Sequence, residues 1–559
     1  MLRNILRCGA LIGLAGIGAC NLDVQNPNQP ETERTLASPN DVESLLANYY
    51  LRWHTAIYGN SLSNVRGMAN VQSFENYSSL SNNCQGQRVG IPRPANDNSI
   101  GNGCGPEQLR VYQIESEVTR VATSVLKQFE DPKYTLGNIP RDIRAKAFAE
   151  FLRGLSLGYL AMTYDSAAVV SVQMGAEEAG ELVGYQEVMD SALAAFARAI
   201  TYTNDAQVAS QFPITWIPTP TVLSQAEFTR LIRSYRARFR ANVARTPAER
   251  AAVDWNAVIG DAQAGITADH INITSSTNGP FNDWVSQTLS YGTWHQMPPF
   301  IIGMADNSGS YAAWIAQPLD QRGTAGAFFM TTPDTRFPQG GSRAAQQADF
   351  AVSSCSTAGA TCKRYFVNRP NGSDVTAAQG WGASNYDFAR YYTWRTAGSA
   401  AGGTARNGPF PFFLLSELKM LEAEGQIRTN NFAAAVTLVN TSRATAGLPA
   451  LTAADNTTPV PGGNDCVPKV PVGPSFNTIA CGNLMEAMKW EKRMETAYGH
   501  FLAWFYDSRG WGDLAEGTPL HWAVPYQELQ ARGRPQSAIY STGLGTQGGA
   551  AAAKGTYGF

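Results

Sequence analysis

Between about His270 and Pro411 the chain loses helical periodicity and turns to Gly, Ser, Asn and Thr interleaved with aromatic residues. Five of its 12 tryptophans fall there, Trp284, Trp294, Trp314, Trp381 and Trp394, together with Tyr291, Tyr311, Tyr386, Tyr391 and Tyr392. Indole and phenol rings lie flat against the C–H faces of sugar rings, while Asn, Gln, Arg and Asp hydrogen-bond sugar hydroxyls, so this texture suits non-covalent capture of a saccharide. A few such contacts, at about 0.5–1.5 kcal/mol each, give binding without catalysis. The candidate ligand-binding residues are Trp284, Tyr291, Trp294, Tyr311, Trp314, Trp381 and Trp394, with Phe74 and Tyr77 of an earlier loop as outlying candidates. The competing role for each ring is packing in the core, where large aromatics are mostly found.

Covalent and metal chemistry has little support. The sequence contains no Gly-x-x-x-x-Gly-Lys, no Gly-x-Ser-x-Gly, no His-Glu-x-x-His and no EF-hand loop. Gly101, Gly103 and Gly105 cluster without a strand-helix context, and Cys104 sits among them, so they read as a loop rather than a phosphate cradle. Five scattered histidines, at 54, 270, 295, 500 and 521, argue against a His-based metal site, and no cofactor is expected. A glycosidase-type carboxylate pair stays open, because the separation of two carboxylates is a three-dimensional property and 45 acidic residues always offer some pair.

The N-terminus reads as an export signal spanning residues 1–19: basic Arg3 and Arg7, an uncharged stretch from Cys8 to Ala19, and small Gly18 and Ala19 before Cys20. That stretch is shorter than the roughly 20 residues a spanning helix needs. Ile17-Gly18-Ala19-Cys20 resembles the bacterial lipobox, which makes Cys20 the lipidation site; acyl chains at about 0.8 kcal/mol per buried CH2 would anchor the chain without a spanning helix. Asn21 in place of Asp favours sorting to the outer membrane. Six further cysteines fall into three local pairs inside Gly/Asn/Pro-rich stretches. Among 15 formal connectivities, local bridges Cys84–Cys104, Cys355–Cys362 and Cys466–Cys481 are expected; the alternative, a zinc site, lacks Cys-x-x-Cys spacing and nearby histidines.

Helices must position the aromatic stretch. Residues 20–40 lack periodicity and read as a tether, and helical patterns begin near Asp41. Phe148, Phe151, Leu152, Leu155, Tyr159 and Leu160 recur at three and four, as do Val188, Ala192, Phe196, Ala199 and Ile200, which predicts an antiparallel helix pair. From Phe228 to Arg250, Phe228, Leu231, Ile232, Tyr235, Phe239 and Val243 form one stripe. The arginines through Arg245 fall on the opposite arc, a solvated or salt-bridged face rather than a nucleic-acid surface. Helices are also predicted at Trp255 to Gly265, Phe413 to Arg428, Phe432 to Ala444 and, as one long element, Leu484 to Phe505. Ala192-x-x-x-Phe196-x-x-Ala199 looks like the second helix of a tetratricopeptide repeat, so the whole suggests a degenerate helical-repeat scaffold. Residues 541–559 read as a mobile low-complexity tail.

Composition agrees with a folded body. At 559 residues and 44% hydrophobic content the chain can bury a large core, and polytopic membrane and disordered classes are excluded. Charged residues are only 16% and the net charge is -2, which leaves no global field for nucleic acid or anionic membrane.

Several segments together resemble the SusD/RagB family of outer-membrane nutrient-binding lipoproteins. They are the lipobox Cys20 with Asn26-Pro27, and Ala149-Glu150-Phe151-Leu152-Arg153-Gly154. They continue with Leu415-Ser416-Glu417 to Glu422-Ala423-Glu424, and Val439-Asn440 with Arg443-Ala444. The most specific are Glu491-Lys492-Arg493-Met494-Glu495 leading to Asp507-Ser508-Arg509-Gly510-Trp511-Gly512, followed by Val524-Pro525-Tyr526-Gln527-Glu528-Leu529. The connecting Ala497-Tyr498-Gly499-His500 departs from the family pattern in lacking its Glu-Gly and in spacing.

The resemblance implies a mostly α fold of four tetratricopeptide-like helix pairs with an irregular, loop-rich ligand-binding region. Mapped here, it implies a single SusD-like domain at 41–540, with scaffold at about 41–269 and 412–540 and the excursion at about 270–411. It implies a lipid-anchored protein of the cell outer membrane facing the exterior, with no catalytic residues. It also implies delivery of an oligosaccharide, or in the RagB branch a peptide, to a SusC-like TonB-dependent transporter. A secreted glycan-cleaving enzyme is the alternative class.

Overall fold

The computed structural model describes residues 36, 38–58, 65–77, 84–175, 178–275, 280–283, 296–323, 328–349, 364–370, 384–396, 408–452, 454–499 and 501–559. The signal, Cys20 and most of the tether lie outside them. The fold is mostly α, with seventeen α-helices and five two-stranded antiparallel ladders among the described residues. The first eight helices are α1 (Pro39–Tyr58), α2 (Val65–Gln72), α3 (Pro106–Gln128), α4 (Ile139–Thr163), α5 (Tyr185–Thr203), α6 (Gln225–Asn242), α7 (Pro247–Ala251) and α8 (Trp255–Gln263). Four short ones follow in the excursion, α9 (Pro299–Ile302), α10 (Ser310–Ile315), α11 (Arg343–Asp349) and α12 (Tyr392–Thr396). The last five are α13 (Leu415–Arg428), α14 (Phe432–Thr445), α15 (Leu484–Thr496), α16 (Ala503–Trp511) and α17 (Tyr526–Ala531).

Helix α4 is central because its sequence is apolar on nearly every side. Asn138 caps it by accepting from Arg141 N–H, Pro140 sits in its first turn, and every residue from Ala147 to Thr163 is buried. It packs against α3 on one side and α5 on another, the predicted antiparallel pair, and α5 in turn packs on α6. Two glycines make the close approach possible. A Cβ at Gly154 would lie 2.4 Å from Phe196 of α5, and one at Gly158 would lie 2.0 Å from Phe239 of α6. Further along, α8 lies between α6 and α13, and α13 packs against α14 and α15, so helices pair with sequence neighbours and stack.

The arginine-rich helix divides its charges between surface and interior. A Ser224–Glu227 capping box starts α6, and its apolar stripe is buried as the periodicity predicts. Arg233, Arg236 and Arg240 all pair with Asp261 of α8, a salt-bridged face. Arg238 and Arg245 depart from the expected outer arc and are buried. Glu417 of α13 meets the Arg238 guanidinium with both oxygens at 2.7 Å, and the cation lies 3.7 Å from the centre of the Phe413 ring. Arg245 donates to the Ala161 and Tyr164 carbonyls and covers Tyr185. Partners supplied by remote elements offset the penalty of burying these cations, more fully for Arg238 with its carboxylate than for Arg245, whose pKa burial still presses down to about 10.

The predicted long helix from Leu484 to Phe505 is two helices. Tyr498 and Leu502 take left-handed φ values of 54° and 55°, and the chain turns between α15 and α16. The interruption is held by side chains that replace the missing helical bonds: Trp504 Nε1 donates to Arg493 O, Arg390 to Glu495 O, Arg66 to Tyr498 O, and Glu75 accepts from Tyr498 N–H.

The Glu491-Lys492-Arg493-Met494-Glu495 segment is a buried joint. Arg336 of the excursion bonds Asp334 and Glu491, and Arg390 of the excursion reaches Glu495 at 3.0 Å. Lys492 pairs with Asp507 at 2.8 Å and Arg493 with Asp513 at 2.6 Å. The loop-rich region is thereby clamped to the C-terminal helices. It is also tied at its ends, because strand β1 (His270–Thr274) pairs antiparallel with β2 (Gly408–Phe413), from Thr274 opposite Gly408 to Ile271 opposite Pro411, with a shift of register before His270 meets Phe413.

Residues 541–559 are not a free tail. Leu520 N–H donates to Ala550 O, Gly517 N–H to Ala552 O, Thr556 N–H to Gly512 O and Glu516 N–H to Phe559 O. Tyr557 and Phe559 are buried in the main core. Low complexity misreads this segment because its glycines permit the positive φ that returning along a surface requires, as at Gly543, Gly545 and Gly558.

Disulfides join Cys84 to Cys104 and Cys466 to Cys481, with Cα atoms 6.1 Å and 5.8 Å apart, within ordinary disulfide geometry. Cys355 and Cys362 lie outside the described residues. No helix among the described residues is long and apolar enough to cross a membrane.

Candidate functional site

A cleft of about 400 Å³ opens where the excursion, the C-terminal segment and the loop at Ile91-Pro92 meet. That is within the usual range for small-ligand sites. Its apolar lining is aliphatic at the surface, from Ile91, Pro92, Ala316, Pro318 and Leu319, over aromatic rings that are themselves buried. Phe300 of α9 and Phe559 meet edge to face at 4.6 Å, and beneath them Phe74 stacks on Phe300 at 4.2 Å and touches Phe559 edge-on at 5.3 Å. Arg93 covers the other side of Phe74 at 4.7 Å, and its backbone N–H donates to Glu516 O.

The wall is the turn following α10. Asp306 holds the turn that leads into that helix, accepting from the Ser308 and Tyr311 N–H groups. Arg322 closes it, donating from Nε to Gln317 O and from Nη2 to Ile315 O, each at 3.0 Å, with its guanidinium 4.7 Å from the centre of the Trp314 ring. Partial burial presses the Arg322 pKa down. Gln317, Ser475, Asn477, Glu516 and Lys554 bring polar groups to the lining. Gly558 is required by close approach: a Cβ there would fall 2.3 Å from Phe476, and its φ is +77°. An apolar floor edged by amides, a hydroxyl and a fixed guanidinium suits a polyhydroxylated ring. Glu516 is the acidic side chain among the described lining residues.

The aromatic candidates from sequence divide between core and undescribed segments. Trp284, Tyr291, Trp294 and Trp381 lie outside the described residues. Tyr311, Trp314 and Trp394 are core residues, with 0%, 6% and 2% of their surfaces exposed, and none of the three lines the cleft. Tyr311 O–H donates to Phe300 O at 2.9 Å, and Trp394 Nε1 donates to Thr274 Oγ1 at 2.7 Å while its ring packs on Phe410. Trp314 packs edge-on to Phe300 at 4.9 Å. Phe74 and Tyr77 are buried too. Phe74, Tyr311 and Trp314 therefore support the cleft from behind. Phe300, Phe559 and Arg322, which line it, were not legible as a site, because only folding brings residues this far apart together.

A buried acid lies close behind the floor. Glu75 follows Phe74, accepts from Tyr498 N–H at 2.6 Å, and lies 2.9 Å from the Asn70 amide nitrogen when that amide is turned toward it. Burial pushes its pKa up to about 7, against the opposing pull of the Tyr498 N–H and the Arg66 guanidinium. A carboxyl whose folded pKa exceeds its unfolded value contributes stability in acid and loses it as pH rises from about 4.5 toward about 7. Glu75→Gln should therefore match the parent near pH 4 and exceed it at pH 8 by about 2–3 kcal/mol in urea unfolding. A variant less stable than the parent at pH 8 would show that the charged form is the one the fold supports.

No protein-family profile matches the chain, and no curated protein sequence does. Solved structures do match. A SusD-like carbohydrate-binding protein of Bacteroides fragilis superposes with a TM-score of 0.51 at 13% identity, covering 93% of this chain and 95% of that one. SusD superfamily proteins of Bacteroides thetaiotaomicron and Parabacteroides distasonis each give 0.49, at 13% and 10% identity, covering 90% and 86% of this chain and 98% and 88% of theirs. The B. fragilis likeness, running over nearly the full length of both chains, shows the fold: this is a SusD-like α-helical scaffold carrying a loop-rich excursion.

Proposed function

We propose that the protein is a lipid-anchored binding protein of the outer-membrane surface that captures nutrient oligomers, oligosaccharides first among them, and passes them to a SusC-like TonB-dependent barrel. The observation that carries this reading is the full-length fold match to a protein described as SusD-like and carbohydrate-binding. The cleft over Phe300 and Phe559 supports it chemically, since its apolar floor and polar rim suit a sugar ring. The export signal and Cys20 supply the anchor, and tethering would hold the binding face beside a barrel at high effective concentration, so modest affinity suffices. The binding reading includes no turnover.

Affinity purification of the tagged lipoprotein from mildly solubilised outer membranes tests the partner. A stoichiometric TonB-dependent barrel is the expected companion, and an intact, acylated lipoprotein that elutes alone would overturn delivery. A glycan array with the purified protein tests the ligand, and any release of reducing ends from a bound glycan would move the chain to the enzymes. For glycans that bind, Arg322→Ala should weaken affinity about tenfold, the loss expected for one charge-assisted hydrogen bond. Unchanged binding in that variant would remove the cleft from the site.

A further inference from the structure

A second cleft, of about 380 Å³, lies between the end of α3, the middle of α4, the C-terminal half of α5 and the segment 171–173. Its charges do not balance. Glu150, with a side chain only 5% exposed, is shared by two arginines: Arg198 donates to it from Nε at 2.7 Å and Nη2 at 3.1 Å, and Arg153 from Nη1 at 3.2 Å. One carboxylate therefore answers two guanidinium groups. Arg153 is itself buried, is fixed by Val170 O at 3.1 Å, and has an Nε with no protein partner. Lys146, one turn before Glu150, adds a third cation and sits 4.8 Å from the centre of the Phe129 ring. Glu130 is the other lining carboxylate, and it is exposed at the rim.

We propose that this cleft is a second ligand site, for a ring-bearing carboxylate of one or two sugar units such as a uronic acid. Its carboxylate would complete the charge that Glu150 leaves unanswered on Arg153 and Arg198, with Lys146 as the third contact and Phe129 and Tyr202 beside the ring. A planar, bidentate donor such as Arg198 matches a carboxylate in shape as well as charge. A cleft of this volume accommodates a body of that size. This site, built from α4, α5, the end of α3 and the segment 170–173, is independent of the first cleft and of any barrel.

The test is calorimetric titration of the full purified protein with galacturonate and digalacturonate, using galactose as the neutral control and inorganic sulfate as the bare anion. Saturable binding of the acidic sugars is expected, with none for galactose under the same conditions. Arg198→Gln and Lys146→Gln should each weaken it about tenfold, and Arg198→Lys should restore only part of the loss, since an ammonium keeps the charge and not the fork. Circular dichroism and melting of each variant separate lost binding from lost structure, and Lys146→Gln, at a partly exposed position, keeps the test open if Arg198→Gln does not fold. Absence of saturable galacturonate binding, or binding that neither substitution weakens, would overturn the site. Sulfate competing as well as galacturonate would overturn the saccharide part and leave an unselective anion hole.

Discussion

Arg250→Met should destabilise the protein by about 3–5 kcal/mol, the range for breaking a buried ion pair from one side. Arg250 is fully buried and uses all three guanidinium nitrogens. It donates from Nε and Nη2 to Glu424 at 2.9 and 2.6 Å, from Nη2 to Asp507 at 3.2 Å, and from Nη1 to Ala241 O and Asn242 Oδ1 at 2.7 and 2.8 Å. These partners come from α6, α13 and α16, so one side chain fastens three helices. Met fills similar volume but leaves Glu424 to Arg428 and Asp507 to Lys492. Because domain stability is typically about 5–15 kcal/mol in total, the loss should appear as a large drop in urea midpoint with an unchanged slope. Arg250→Lys should fall between the two, since an ammonium cannot meet Glu424 in parallel. A midpoint for Met within experimental scatter of the parent would mean that the hydrophobic replacement repacks and that the network adds no net stability.

The second large effect is expected at the extreme C-terminus. Phe559→Ala should cost about 3–5 kcal/mol, and deletion of residues 555–559 more. The ring packs against both Phe300 and Phe74, and deletion also removes Tyr557, whose hydroxyl donates to Glu486 and accepts from Arg493. The two changes should also abolish whatever binding Arg322→Ala only weakens, because they remove the floor and not one donor. Thermal melting combined with binding to a glycan identified on the array checks both. A truncated protein with unaltered melting would mean that the segment packs weakly enough to be dispensable.

What could be read from sequence follows from how local each determinant is. The stripe from Phe228 to Phe239, the pair formed by residues 139–163 and 185–203, and the turn at 429–431 are set by contacts within a few residues or between neighbouring helices, and periodicity reports them. The break at 497–502 contains no proline and is held by Arg66, Glu75 and Arg390, all distant in sequence, so a helical pattern ran through it. Arg238 and Arg245 were placed outside for the same reason, since their partners belong to other elements. The aromatic texture of the excursion does not separate two roles, because a ring serves a core and a ligand equally well. For Tyr311, Trp314 and Trp394 the core took them. The cleft itself draws on residues near 91, 300, 322, 477 and 559, a juxtaposition that no sequence window contains.

The pairing of β1 with β2 bears on how this architecture can diversify. The excursion leaves and re-enters the scaffold through two adjacent strands, with Thr274 opposite Gly408, so its ends are neighbours whatever lies between. The entropy of closing such a loop grows only with the logarithm of its length, each doubling adding about 0.6 kcal/mol. Chain length between these ends is therefore cheap to vary in the loops that stay at the surface. The excursion's share of the main core, Phe300, Tyr311, Trp314, Phe366 and Phe388 among it, has to be kept in any such change, as do Arg336 and Arg390, which seat it on α15.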